Sequence, residues 1–219
     1  MVGVPSTFAI AVVGTGLGRG QVGMAGCPGR GAPWLLPSLS ERELERDVAT
    51  VARWGATALV SLLDEFELAR LHLRRLPELL TAARVNWHHV PLAPSKLPDA
   101  EFDRTWNAAA IRIYQLLRQG GKIVIHCRDG RGRTGMITGR LLVELGCQPL
   151  DAVNRVRAAR PGALDNIAEE KYVLSRSPIP DLDEGLQLAL LSDDGQAERS
   201  GAEPVRLTSL RIASGNPRP

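Results

Sequence analysis

The chain is poor in aromatics, cysteine and lysine and has no long apolar run, and each scarcity closes off a class of protein. Phe, Trp and Tyr make up 4% of its 219 residues. Nucleic-acid binding calls for basic stripes interleaved with aromatics, whereas the Arg residues here are scattered, so no nucleic-acid partner is expected. Cys27, Cys127 and Cys147 are an odd number of thiols far apart in the chain. They fit reduced thiols in a cytoplasmic compartment rather than a disulfide framework. No apolar run reaches the length of a membrane-spanning helix, so no stable membrane insertion is expected. Thr7 to Val13 is too short for a signal-peptide core, and no Lys or Arg precedes it.

What is present is ordinary globular usage, 44% hydrophobic and 23% charged, in a chain long enough to need no disulfide staples. The net charge of +3 conceals an asymmetry, since seven acids and four Arg from Asp181 onward leave +6 on residues 1–180. Arg supplies 24 of the 27 basic residues. Its planar fork grips phosphate or carboxylate oxygens in pairs, so a mildly basic, Arg-rich body suits an anionic substrate.

Near the start, Gly18 to Gly23 fits the dinucleotide-binding spacing G-x-G-x-x-G behind a strand read over Thr7–Val13. The last glycine should open a long helix, yet it leads into Ala25-Gly-Cys-Pro-Gly29. Two short strands joined by a turn are expected instead, with no nucleotide site. Ser40 and Glu43 have capping-box spacing ahead of a helix carrying Leu44, Val48 and Val51 and closing at Gly55. Thr57–Leu63 reads as a strand, followed by the acidic run Asp64 to Glu67; a short helix around Glu78–Arg84 leads to another strand, Val85–Val90. After a proline-punctuated loop, Asp99 is placed to cap a long helix with Phe102, Trp106, Ala109, Ile113 and Leu117 on one face. Then come a buried strand at Lys122–His126 and helices over Thr134–Leu145, Pro149–Arg160 and about Asn166–Leu174. Strands alternating with helices imply an α/β domain over residues 1–180, its sheet covered on both faces. Residues 181–219 read as an acidic, flexible tail, in which Leu182–Leu191 has room for a turn or two of helix.

The informative stretch is Lys122-Ile-Val-Ile-His-Cys127-Arg-Asp-Gly-Arg-Gly-Arg133-Thr-Gly135. A strand, an arc from Cys127 to Arg133 and a helix opening at Thr134 make a phosphate cradle. Gly130 and Gly132 let backbone N–H groups turn inward with those of Arg128, Asp129 and Arg131, and the helix N-terminus adds positive potential. A cysteine at the base of such a cradle is favoured as the thiolate, and attacks phosphorus while Arg133 holds two equatorial oxygens. Thr134 is placed to donate to the thiolate when water later displaces it. His88 and His89 face opposite sides of their strand and are expected to be structural, and Cys147 a core thiol.

His126-Cys-x-x-Gly-x-x-Arg-Thr-Gly135 resembles the signature of cysteine-dependent protein-tyrosine phosphatases. Val60 to Glu67, Trp87 to Pro91, Pro98-Asp99 and Arg160 to Leu164 resemble the small dual-specificity branch. The Arg-Thr-Gly ending argues against arsenate reductase and sulfurtransferase loops. The resemblance implies a mixed, mostly parallel central sheet flanked by helices on both faces, the dual-specificity phosphatase fold. It also implies hydrolysis of a phosphorylated protein through a cysteinyl-phosphate intermediate, with no metal and no organic cofactor. Two departures stand out. The general acid of the relatives falls on Pro94, which cannot donate a proton, leaving Asp99 as first choice and Asp103 or Asp129 as alternatives. Relatives also place Gln near Asp165 or Glu169 to orient water, and here both are acidic, so phosphate release is expected to be slow or to use Asn166. Arg128 and Arg131 stand where lipid phosphatases carry Lys, which keeps an inositide substrate open beside a phosphoprotein. The missing acid keeps a weakly active phosphate-binding module open as well. Oligomeric state is not legible.

Overall fold

The computed structural model describes residues 8–16, 20–30 and 37–179. Five strands form its centre: β1 (Ala11–Gly14), β2 (Gln21–Ala25), β3 (Ala58–Ser61), β4 (Asn86–His89) and β5 (Lys122–His126). They form one sheet in the order β1-β2-β5-β3-β4. β1 pairs antiparallel with β2, setting Ala11 opposite Met24 and Gly14 opposite Gln21, and every other pairing is parallel. This is the mixed, mostly parallel sheet expected from the sequence. Parallel neighbours require crossovers. The described helices that supply and flank them are α1 (Pro37–Arg53), α2 (Glu65–Arg70), α3 (Leu76–Ala82), α4 (Ala100–Arg118), α5 (Gly132–Glu144), α6 (Pro149–Ala159) and α7 (Ile167–Leu174).

Both faces of the sheet are covered. Leu44, Val48 and Val51 of α1 and Leu76 and Leu80 of α3 share a buried cluster with Leu59 of β3 and Val124 of β5. Strand alternation turns Ile123 and Ile125 to the other face, where α4 and α5 lie against β5 and α6 against β1. On α4 the buried stripe is Phe102, Trp106, Ala110, Ile113 and Leu117, so Ala110 takes the place read for Ala109. Asp99 caps this helix as the sequence suggests, accepting from the N–H groups of Glu101 and Phe102.

The glycine-rich opening is the β1–β2 hairpin and serves packing. A Cβ added at Gly23 would stand 2.5 Å from Ile10 and 3.2 Å from Trp54, so only glycine lets these side chains close over β2. Residues 17–19, with Gly18, lie outside the described residues.

Several boundaries differ from the sequence reading. β1 begins at Ala11 rather than at Thr7, which lies outside the described residues, and β3 and β4 are shorter than the apolar runs that contain them. Leu62 and Val90 lie just past the strand ends yet still donate to the neighbouring strands, to His126 O at 3.0 Å and Ser61 O at 2.9 Å, and like Leu63 they are buried, so in sequence they look like strand. α1 starts at Pro37, which suits a first helical turn because its missing N–H has no partner there anyway. Ser40 is therefore past the cap position, and the expected box with Glu43 is not the helix start. α5 starts at Gly132, two residues before Thr134. The acidic run forms an unanticipated short helix, α2, with a capping box in which Asp64 accepts from Glu67 N–H and the Glu67 carboxylate accepts from Asp64 N–H. The tail expected over 181–219 lies outside the described residues.

A buried polar cluster fixes the helices behind the site. Arg140 of α5 pairs with Glu144 at 2.7 Å, donates to Tyr172 Oη at 2.9 Å, bonds Asp103, and lies over the rings of Phe102 and Trp106. Trp106 Nε1 and Tyr114 Oη both donate to Glu144. A Cβ at Gly139 would stand 2.9 Å from Val173, so α7 sits close on α5. With α4 tied in through Asp103 and Trp106, the start of α7 is held beside the start of α5.

Candidate active site

β5 delivers His126 and Cys127 to the carboxyl edge of the sheet, and the chain arcs through Gly130 into α5. Cys127 is 3% exposed, at the base of the arc, and Gly130 N–H donates to its Sγ at 3.2 Å. Gly130 has φ +68, and a Cβ there would meet Ala25 O at 2.3 Å, so the arc can close only around glycine. It is tied from outside: Cys27 N–H donates to Arg128 O at 3.1 Å, and Arg160 Nη2 donates to Asp129 O at 3.1 Å. At the other end Gly135 N–H bonds back to Arg131 O at 2.7 Å, while the N–H groups before it in the first turn have no intrahelical acceptor. They stand at the positive end of the helix dipole, where an anion is favoured.

Arg133 closes the arc and is 9% exposed. Its Nη1 and Nη2 bond Glu67 Oε2 and Oε1 at 2.6 and 2.7 Å, and Nη1 also reaches Leu92 O at 2.8 Å. Burial works against the guanidinium charge, but the Glu67 bonds, with negative charge on the Cys127 sulfur and on Glu67, outweigh this and hold its pKa above the ordinary value. The end of the fork is spent on Glu67. Its side edge, Nε with the second Nη2 hydrogen, makes no protein bond among the described residues and is the edge left for two phosphoryl oxygens. Glu67 was missed by the sequence reading. Its signal was the spacing Asp64-x-x-Glu67 directly after β3, a cap that aims a carboxylate at the edge where β5 also ends. Thr134 is fully buried, and its Oγ1 has no hydrogen-bond partner among the described residues, which leaves its proton uncommitted.

His126, fully buried, shares a 2.5 Å hydrogen bond with Ser61 Oγ, which also accepts Trp87 Nε1–H at 2.9 Å. Burial pushes its pKa from 6.5 down to about 4. As pH falls from 6.5 toward 4, the unfolded chain therefore binds a proton that the folded chain refuses, so stability present above 6.5 is lost across this window. The loss approaches roughly 3 kcal/mol. His88, lowered by burial as well, adds in the same direction. Urea midpoints at pH 7.5, 5 and 4 should fall accordingly, and His126→Asn should flatten the slope; equal slopes would show that the ring is not held neutral. His89 stacks on Trp87 at 5.2 Å and meets Leu63 O at 2.8 Å, a structural role as expected. Cys147 is only half-buried, beyond the end of α5, so it is less of a core thiol than read.

The carboxylates named as proton donors are engaged elsewhere. Asp99 is the exposed cap of α4, and the Phe102 and Glu101 N–H groups hold its carboxyl below the usual range. A proton donor needs the opposite shift. Burial works to raise Asp129, but hydrogen bonds from Arg30 and Arg128 prevail and lower it. Asp103 is bonded to Arg140. Pro94 is exposed in the β4–α4 loop. Asn166 caps α7, its side-chain oxygen accepting Ala168 N–H at 2.8 Å. Arg128 is exposed and bonds Asp129 at 3.2 Å, while Arg131, also exposed, has no carboxylate partner among the described residues.

Solved structures share this architecture. Kinase associated phosphatase, with a substitution of its catalytic site cysteine by serine, aligns with a TM-score of 0.64 at 20% identity over 76% of this chain and 92% of that one. The active form of Tk-PTP aligns at 0.54 and 25% identity over 75% and 93%. A protein tyrosine phosphatase (putative) from Leishmania major aligns at 0.55 and 18% identity over 80% and 99%. No curated protein sequence matches the chain. The family model of the Swiss Army Knife protein DSP-PTPase phosphatase domain matches residues 32–173, which takes in α1, Glu67, the whole cradle and all but the last residue of α7. With that span matched, the chain belongs to the DSP-PTPase phosphatase domain family, the cysteine-dependent dual-specificity protein-tyrosine phosphatases.

Proposed function

We propose that residues 1–180 hydrolyse phosphomonoesters on protein substrates in the cytoplasm, with Cys127 as nucleophile and 181–219 as an appended tail. What carries the reading is the edge of Arg133 left over once Glu67 has taken the end of its fork, at the close of the same arc whose Gly130 N–H donates to Cys127 Sγ. Cys127 Sγ attacks phosphorus as the ester oxygen departs opposite it. Arg133 and the N–H groups from Arg128 to Arg133 hold the equatorial oxygens, where charge spreads in the transition state. Thr134 donates to the sulfur when water cleaves the S–P bond. The test is initial rates on phosphotyrosine peptide, phosphoserine peptide and phosphoinositide. Release from the phosphotyrosine peptide is expected; binding without release from any substrate would make the chain a phosphate-binding module.

A second reading, an inositide substrate, rests on one observation: Arg131, with no carboxylate partner among the described residues, lies with its Nε 3.6 Å from where a Cβ of Gly162 would stand, two residues past Arg160, and neighbouring cations beside the cradle favour a polyanion. Replacing Arg128 and Arg131 together by Gln should cut inositide turnover at least about tenfold more than phosphotyrosine turnover if they read extra phosphates. Equal losses would make them general electrostatics.

A further inference from the structure

The proton that the ester oxygen needs has no donor in Asp99, Asp103 or Asp129, yet one carboxylate beside the cradle is uncommitted among the described residues. Glu169 stands in the first turn of α7, and α7 is held on α5 by Val173 against Gly139 and by Tyr172 on Arg140. A Cβ added at Gly132 would stand 2.5 Å from Glu169 Oε1 and 3.2 Å from its Cδ, so the carboxyl lies against the last glycine of the arc. It is half-buried, and among the described residues it makes no hydrogen bond or ion pair. Its neighbour Glu170, in contrast, is paired with Arg157 at 2.9 Å. Glycine at position 132 is what makes room for it.

We infer that Glu169 is the general acid and base of this phosphatase, doing the work that Pro94 cannot. The inference rests on the phosphatase reading above. Burial, and next the neighbouring Asp165, raise the Glu169 pKa, which keeps a proton available for transfer. In the first half-reaction protonated Glu169 gives its proton to the ester oxygen as the Cys127 Sγ–P bond forms and the P–O bond breaks, releasing the alcohol. In the second, the Glu169 carboxylate takes a proton from the water that attacks phosphorus as the S–P bond breaks. Inorganic phosphate leaves, Cys127 is returned as the thiolate and Glu169 as the acid, and one water is consumed.

Of the other carboxylates, Asp165 is exposed and serves Glu169 electrostatically, and Asp99 and Asp129 stay ionised on their own partners. The experiment compares Glu169→Gln, Glu169→Asp and Asp99→Asn on a phosphotyrosine peptide and on an aryl phosphate with an acidic phenol. General acid catalysis supplies about 10²–10⁴-fold for a poor leaving group and little for an activated one. Glu169→Gln should therefore lose at least about 10²-fold in kcat/KM on the peptide and less than about threefold on the aryl phosphate. On the aryl phosphate its kcat should still fall, with a burst of phenol equal to one per enzyme, because the phosphocysteine now waits for water. Glu169→Asp should recover part of the peptide rate, and Asp99→Asn should show no asymmetry between substrates. Equal kcat/KM losses of Glu169→Gln on both substrates, or no loss on either, would overturn the assignment, as would the asymmetry appearing in Asp99→Asn. If the parent enzyme releases no phosphate from any ester, the phosphatase reading fails first.

Discussion

Replacing Cys127 by serine is expected to abolish turnover while phosphate-ester binding persists. The two side chains are close in size, so the arc around Gly130, the Arg133–Glu67 pair and the inward N–H groups stay in place. What is lost is the nucleophile. A hydroxyl is far less acidic than a thiol, and at this buried position, 3% exposed, no base among the described residues is hydrogen-bonded to it to take its proton. Removal of a nucleophile of this kind costs on the order of 10⁴-fold or more in kcat. Titration calorimetry with a phosphotyrosine peptide should give a Kd for Cys127→Ser within about tenfold of the parent's KM, since the oxygens are held by the same N–H groups and guanidinium. Residual kcat within tenfold of the parent would mean that another residue attacks.

The chemistry of this chain was legible because its signal is local. Strand, cysteine, glycines, arginine and helix follow one another within fourteen residues, and their backbone needs are set by sequence neighbours: Gly130 must adopt φ +68, and α5 must begin where the arc ends. The sheet was legible in kind for the same reason, since short apolar runs alternate with helical periodicity. Strand ends were not, because a residue such as Leu63 is buried beyond the end of β3 by packing that no local pattern records.

Residues that act across the fold were harder to read. Glu67 bonds a residue 66 positions later, and in sequence its acidic run looks like a solvated turn. Only the Asp64–Glu67 capping box betrays a helix there. Asp99 misled in the opposite direction. Its place in the loop that relatives use for catalysis and its fitness as a cap are both visible in sequence, and in the fold its acceptor oxygen is given to backbone N–H groups. Glu169 was noticed only as an acid where relatives carry Gln. That it is unpaired among the described residues and lies against Gly132 depends on how α7 docks on α5, which the 3.6-residue pattern alone does not specify.

Arg133→Lys is expected to cost about 2–4 kcal/mol of transition-state stabilisation, or roughly 10²–10³-fold in kcat/KM, although the charge is kept. The guanidinium does two jobs at once: its end binds both oxygens of Glu67, and its side edge is left for the phosphoryl group. An ammonium is a single point with three donors, so at 9% exposure it can sit against Glu67 or reach the phosphate but cannot span both. The partner variant separates holding the guanidinium from using it. Glu67→Gln leaves a buried cation with a neutral partner in place of a carboxylate, and should cost about 3 kcal/mol of stability. It should also lower kcat/KM, because the fork is no longer pinned. Arg133→Lys should unfold near the parent's urea midpoint, since Lys still pairs with Glu67, and fail chiefly in kcat. If instead Arg133→Lys loses stability as much as Glu67→Gln does and keeps kcat/KM on a phosphotyrosine peptide, the arginine is a structural tie between α2 and α5. The oxygens of the phosphoryl group would then be held by the backbone alone.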